Sequence, residues 1–252
     1  DQLEVFDGSS TPGEEGIHTN APVDCTGGPA AVFPRITSAV ATAVREGPGG
    51  GGIPIILGGE HSISAPAVRG VKEALHQPIG VIQIDAHADL RNEYEGTRHS
   101  HATVARRIHQ DLGLPLVQIG VRAVSPEEIR YRRDVGSEIT AHDAASIVPG
   151  GVSAITLPES FPQRVYITID VDGLDPSIIP ATGTPVPGGL GWYQFLSILE
   201  SIAAAREIVA CDVVELAPIP GQHAWDYAAA EVVYRMMGMI ARSPAFTVSH
   251  RS

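Results

Sequence analysis

The chain has 252 residues, 43% of them hydrophobic, and a formal net charge of −12. A chain of that length and apolar content can bury a large core within one domain, and its acidity argues against nucleic acid or an anionic membrane as partner while suiting a small cationic ligand. No apolar run approaches the roughly 20 residues that cross a bilayer, and no basic-then-apolar leader opens the chain, so the expectation is a cytoplasmic protein without membrane contact.

Helical and extended patterns alternate along the sequence. The first helix is predicted over 36–46. The glycine run at 49–52 lacks the lysine and hydroxyl of a phosphate-binding loop and reads as a surface turn. An apolar strand at 53–57 ends in Gly58-Gly59-Glu60-His61, and a helix follows at 64–76. The next strand, 81–85, runs directly into Asp85-Ala86-His87-Ala88-Asp89, where alternate side chains of an extended segment fall on one face. A helix at 101–112 and a strand at 116–122 come next. The helix at 126–133 carries its own start signal, with Ser125 as N-cap, Pro126 at the first helical position and Glu128 completing a capping box. Glu127 and Glu128 are therefore read as structural. The strand at 165–170 closes with Asp170-Val171-Asp172 and the turn Gly173-Leu174-Asp175-Pro176. Thr182-Gly183-Thr184-Pro185 is read as a wall beside that acidic pair. A helix at 192–206, a strand at 209–215 and a helix at 227–241 complete the pattern. Wholly apolar strands separated by helices imply an α/β fold with a parallel sheet covered on both faces. Cys25 and Cys211 have neither paired-ligand spacing nor disulfide density, and both are read as reduced and structural.

Six ligand-type side chains thus stand at the carboxyl ends of three apolar strands: His61, Asp85, His87, Asp89, Asp170 and Asp172. Any one of them alone has an ordinary structural role, as a cap or a partly buried histidine. Together they do not, because buried carboxylates without cations are costly. Four carboxylates balance two divalent cations, with Asp85 and Asp170 as the natural bridges. Oxygen-rich ligation with two imidazoles and no thiolate suits Mn²⁺ better than structural zinc, while affinity alone leaves Zn²⁺, Fe²⁺, Co²⁺ and Ni²⁺ open. Two such ions roughly 3.5 to 4 Å apart can lower the pKa of a shared water towards neutrality, so the expected reaction is hydrolysis by metal-activated hydroxide.

Gly58-Gly59-Glu60-His61-Ser62, Asp85-Ala86-His87-Ala88-Asp89, Ser100-His101-Ala102, Asp170-Val171-Asp172-Gly173-Leu174-Asp175-Pro176 and Thr182-Gly183-Thr184-Pro185 resemble, in order and spacing, the signatures of the ureohydrolase (arginase/agmatinase) family. The resemblance covers about residues 5–239. It implies a three-layer α/β/α sandwich with a mostly parallel central sheet, a binuclear Mn²⁺ cluster and release of urea from a guanidino compound. By the same resemblance, His61, Asp85, Asp89 and Asp170 would hold one Mn²⁺, and Asp85, His87, Asp170 and Asp172 the other. Glu215 matches the guanidinium-binding acid, and His101 the mobile histidine that transfers protons; His99, two residues away, is read as a solvent-facing residue. A homo-oligomer, trimeric or hexameric, is also implied. Family members begin with an apolar strand and a Gly/Arg-rich segment, whereas this chain opens at a stretch resembling the part after them, so an open sheet edge and an incomplete site rim are expected.

The loop Leu90-Arg91-Asn92-Glu93-Tyr94-Glu95-Gly96 resembles those of agmatinases rather than the Asn/Ser-rich loop of arginases. The leading expectation is therefore hydrolysis of agmatine to putrescine and urea. Arg91 and Arg98 support the alternative of a guanidino acid such as 4-guanidinobutanoate, and an inactive metal-binding family member is the reading from a different functional class.

Overall fold

The computed structural model describes residue 13 and residues 16–46 and 51–242. Its elements follow in the order α1 (Pro29–Glu46), β1 (Ile55–Leu57), α2 (Ser64–Leu75), β2 (Ile79–Ile84), α3 (Val104–Arg106), β3 (Leu116–Ile119), α4 (Pro126–Val135), β4 (Ile139–His142), α5 (Ala144–Ile147), β5 (Arg164–Asp170), α6 (Trp192–Ala205), β6 (Glu207–Val214) and α7 (Ala224–Arg242). The six strands form one sheet in the order β1-β6-β5-β2-β3-β4, and every pairing is parallel.

Period-two patterning divides the strand residues between two apolar layers. Val165, Ile167 and Ile169 of β5 pack with Phe195, Leu199 and Ile202 of α6 and with Val232 and Met236 of α7. Tyr166, between them in sequence, faces the other layer with Val40 of α1, Val68 and Val71 of α2, and Ile108. The result is the expected three-layer α/β/α arrangement. No helix among the described residues is long and apolar enough to cross a membrane.

The connections leave β2 and β5 in opposite directions, β2 towards β3 and β5 towards β6, so a crevice opens at the carboxyl ends of this central pair. Register aligns the two ends. Ile84 lies opposite Ile169, which sets Asp85 beside Asp170, and Asp170 in turn lies opposite Val214.

Several boundaries differ from the sequence expectations. α1 begins at Pro29, well ahead of 36, because Pro34 interrupts the pattern without ending the helix. The helix expected over 101–112 is a composite, with a 3₁₀ turn at His101–Thr103, α3, and a π turn at Arg107–Asp111. The strand expected over 116–122 stops at Ile119. β4 and α5 were not anticipated, β4 being a short edge strand that includes Thr140 and His142. The Ser125–Glu128 capping box with Pro126 forms as expected. Cys211 is buried in the core, whereas Cys25 is exposed among the described residues; both are free thiols. The opening residues 1–12 and Gly49 and Gly50 lie outside the described residues. Among the described residues, nothing pairs with the outer side of β1, and Leu57 there is 71% exposed.

Gly173, in the turn after β5, sits where a Cβ would come within 2.9 Å of the Asp85 backbone nitrogen and 3.1 Å of the Ile84 carbonyl carbon. Those are backbone atoms and cannot swing away. Gly173→Ala should therefore push the β5 turn off the end of β2, costing about 1 to 3 kcal/mol, read as a lower denaturant midpoint with an unchanged m-value.

Candidate metal centre

β2 ends at Ile84, and residues 85–90 continue as irregular chain tied down at several points. Asp85 N donates to Ile119 O, and Arg122 N and Ala123 N both donate to Ala86 O. Leu90 N donates to Glu128 Oε1 at 2.9 Å, so the capping glutamate also anchors this segment. Asp89 has a left-handed φ of 53°, a conformation that non-glycine residues adopt at a cost. The regular alternation expected over 85–89 is thus not a strand. Asp85, His87 and Asp89 converge because these backbone bonds hold a buried, bent segment.

His61 opens the short turn His61–Ile63 beyond β1. Its Nδ1 is buried and makes no hydrogen bond, although carboxylate oxygens of Asp89, Asp85 and Asp170 lie 3.1, 3.3 and 3.3 Å away. On the other side of Asp85, His87 Nδ1 lies 3.0 Å from Asp172 Oδ2 and 3.6 Å from Asp85 Oδ1. Asp85 therefore turns Oδ2 to His61 and Oδ1 to His87. Two potential ion-holding groups result, His61 with Asp85 and Asp170, and His87 with Asp85 and Asp172. Asp89 joins the first through His61. Asp170 Oδ2 faces His61, while its Oδ1 accepts from Asp172 N at 2.9 Å, so the structure brings Asp170 to the first group and not to the second.

These residues fit a pair of cations. An imidazole nitrogen ringed by carboxylate oxygens needs positive charge between them, a proton or a metal cation, and spacings near 3 Å are those of donors sharing one ion at about 2.1 Å. Charge points the same way. Burial disfavours the His87 imidazolium, but the Asp172 and Asp85 carboxylates outweigh it and raise the pKa to about 11. Burial and then the Asp85 charge push Asp89 up to about 8. His61 is likewise held well above the usual range, its burial being outweighed by Asp170, Asp85 and Asp89. Without metal, protons stand where cations would.

Behind His61 is a chain the sequence reading did not identify. Thr168 Oγ1 donates to Asp212 Oδ1 at 2.6 Å and so is left to accept from His61 Nε2 at 2.8 Å. Tyr166 Oη donates to the other oxygen of Asp212 at 2.6 Å. A proton fixed on Nε2 would leave Nδ1 as the atom that carries the lone pair once the ring loses its second proton to an arriving cation. Asp85 has a comparable support, with Gln83 Nε2 donating to its Oδ2 at 2.7 Å and Gln118 Nε2 donating to Gln83 Oε1. Thr168 and Gln83 were visible as polar positions inside otherwise apolar strands. Arg122 closes the crevice from the loop side, donating to the carbonyls of Asp172 and Val186 at 2.6 and 2.7 Å. Thr184 Oγ1 lies 3.5 Å from Asp172 Oδ2, so the Thr182–Pro185 stretch does border the acidic pair.

A third cluster stands beside these. Glu215, just past β6, has a left-handed φ of 64°, and its Oε1 accepts from His61 N at 2.6 Å. Burial pushes its carboxyl above the ordinary value. His101, half-exposed, presents Nδ1 to Glu60 Oε1 at 3.2 Å; Glu60, His101 and Glu215 form one group. Glu60 was not anticipated. His99 points elsewhere, exposed against the Phe33 ring. Arg98 pairs with Asp111 at the surface, and Arg91 lies over the Tyr94 ring, whose edge meets His101 at 5.5 Å between centroids.

The model of the arginase family matches residues 4–238. The N(1)-aminopropylagmatine ureohydrolase of Synechocystis sp. is 35% identical over 246 residues, covering 94% of this chain and 78% of that protein. The agmatinase of Pyrococcus horikoshii is 36% identical over 191 residues, covering 75% of this chain and 64% of its own. Among solved structures, the arginase from Medicago truncatula superposes with a TM-score of 0.75 at 31% identity, over 86% of this chain and 68% of that one.

Two outcomes are expected for the centre. Because His61 and His87 hold protons in the metal-free chain, a divalent ion must displace them, so apparent Mn²⁺ affinity should rise with pH between 6 and 8 and each imidazole should release a proton on loading. Calorimetry in buffers of different ionisation enthalpy reads this directly. Thr168→Val keeps the shape but leaves His61 Nε2 without its acceptor, and should weaken Mn²⁺ binding about tenfold to a hundredfold in chelator competition.

Proposed function

The chain belongs to the arginase family, and from that premise we propose that it cleaves the guanidino group of agmatine, releasing putrescine and urea, with two Mn²⁺ held by His61, Asp85, His87, Asp89, Asp170 and Asp172. As a ureohydrolase of this family it is a hydrolytic enzyme. The observation that carries the proposal is the orphaned Nδ1 of His61 among three carboxylates, in a crevice bordered by Glu215 and His101.

Bound divalent ions would supply Lewis acidity, lowering the pKa of a water and stabilising charge on the reacting carbon's substituents. The chain's own residues do the rest. Glu215 has one carboxylate oxygen fixed by His61 N, which orients the other to take hydrogen bonds from a planar guanidinium. That contact fixes the guanidino carbon relative to the crevice. Water supplies an oxygen to this carbon, the bond to the alkyl-bearing nitrogen breaks, and that nitrogen must gain a proton to leave as an amine. His101, half-exposed beside Glu215, is the group suited to carry it.

The choice of agmatine rests on the tail. Arg98 faces Asp111, which also pairs with Arg107, and Arg91 lies over the Tyr94 ring, so neither guanidinium is shown turned to the crevice where a substrate carboxylate would lie. A net charge of −12 favours a cationic tail. A second reading has its own support: the N(1)-aminopropylagmatine ureohydrolase of Synechocystis sp. matches 94% of the chain, the agmatinase of Pyrococcus horikoshii 75%. An aminopropyl extension keeps the same guanidino group and adds a further cationic nitrogen.

The test is kcat/KM for agmatine, N(1)-aminopropylagmatine, arginine and 4-guanidinobutanoate on one Mn²⁺-loaded preparation. Agmatine or its aminopropyl derivative should lead arginine by more than about tenfold, since burying arginine's carboxylate leaves a charge unpaired; arginine as best substrate would overturn the assignment. Glu215→Gln should lower kcat/KM about tenfold to a hundredfold, the loss expected for a charge-assisted contact of about 1.5 to 3 kcal/mol, with bound Mn²⁺ unchanged.

A further inference from the structure

The geometry points to Glu60 as the residue that positions His101 for proton transfer, holding Nδ1 so that Nε2 is the atom offered to the substrate. This rests on the ureohydrolase reading of the same site. Glu60 reaches across 41 residues of sequence. Its Oε1 accepts from the His101 backbone N–H and faces His101 Nδ1 at 3.2 Å. Its Oε2 accepts from Ser62 N at 3.2 Å and from the Ser62 hydroxyl. Both ends of the carboxylate are therefore pinned, one to each chain segment.

The His101 side of the contact is equally constrained. Ser100 caps the turn that begins at His101, its hydroxyl accepting from Ala102 N and its own N–H donating to Thr103 Oγ1. The free N–H of a first helical residue normally goes to water; here it goes to Glu60. The Tyr94 ring sits edge-on against the imidazole. No described residue hydrogen-bonds His101 Nε2.

A carboxylate on Nδ1 keeps a proton there and leaves Nε2 as the exchanging atom, and it stabilises the imidazolium formed between proton uptake and release. The step balances. His101 Nε2–H gives its proton to the departing amine nitrogen as the carbon–nitrogen bond breaks, the ring keeps Nδ1–H on Glu60, and Nε2 regains a proton from the water that supplied the oxygen of urea. Glu60 touches neither substrate nor reacting atoms in this scheme, which makes it a positioning residue.

A double-mutant cycle tests it on the Mn²⁺-loaded full chain, using whichever compound of the substrate panel the wild type turns over fastest. Glu60→Gln should lower kcat about tenfold to a hundredfold with KM changed less than about twofold, while bound Mn²⁺ and melting temperature stay as in the wild type. In a His101→Asn background, the same Glu60→Gln change should alter kcat less than about twofold, since a residue acting through His101 has nothing left to position. Glu60→Asp, which keeps the charge on a shorter stem, should recover part of the lost kcat. Should Glu60→Gln fail to fold, the cycle is run with Glu60→Asp. An equal loss in both backgrounds, or loss of Mn²⁺ in the single variant, overturns the proposal and makes Glu60 a brace of the fold or of the centre. A wild-type chain that turns over no guanidino compound overturns the ureohydrolase reading and this inference with it; an active wild type with an additive cycle overturns this inference alone.

Discussion

Four carboxylates cannot stay ionised and close together out of water unless something positive stands among them. Asp85, Asp89, Asp170 and Asp172 are all buried, and the two imidazoles nearest them are held at pKa values far above those of free histidine. Most of what is specific about this fold serves that concentration of charge. The β2–β5 pairing aligns the strand ends, Gly173 allows the β5 turn to lie against the Asp85 backbone, and Arg122 ties the next loops down through carbonyls rather than by pairing with the carboxylates. A cation such as Arg122 placed among the carboxylates would have neutralised the site and filled it. Keeping it on the carbonyls leaves the donors facing one another.

Support from behind matters as much as the donors. Asp212 is buried and would be costly alone, but Thr168 and Tyr166 satisfy its two oxygens, and its demand for the Thr168 proton is what fixes the His61 tautomer. Gln83 and Gln118 form a parallel support for Asp85, extended by Arg132, whose Nε donates to Gln118 Oε1 at 2.8 Å. Polar side chains inside the sheet thus orient a centre at its end, at no loss of core packing, because each is hydrogen-bonded. The cluster of Glu60, His101 and Glu215 meets this centre through the bond from His61 N to Glu215 and through the chain itself, Glu60 directly preceding His61.

Legibility in the sequence followed burial. β2, β5 and β6 were readable because strands covered on both faces are mostly apolar, with Gln83, Thr168 and Asp212 as isolated polar positions, and the residues that end them carried the site. β4 was not, since an edge strand with Thr140 and His142 has no such pattern. Convergence of Asp85, His87 and Asp89 was anticipated for a reason that does not hold; strand alternation ends at Ile84, and the left-handed Asp89 and the anchors at Ala86 and Leu90 do the work instead. Glu128 illustrates a role only half visible, since the local capping box could be read but its bond to Leu90, 38 residues away, could not. Glu60 was hidden for the same reason, its partner being distant in sequence and joined only by the fold.

The central claim is that this crevice holds two divalent cations, and anomalous diffraction from crystals of the Mn²⁺-loaded full chain tests it most directly. Two peaks per chain are predicted, one in coordinating reach of His61 Nδ1 and the other of His87 Nδ1, with Asp85 reaching both. A single peak, or none, with the imidazoles still bound to carboxylates would contradict it.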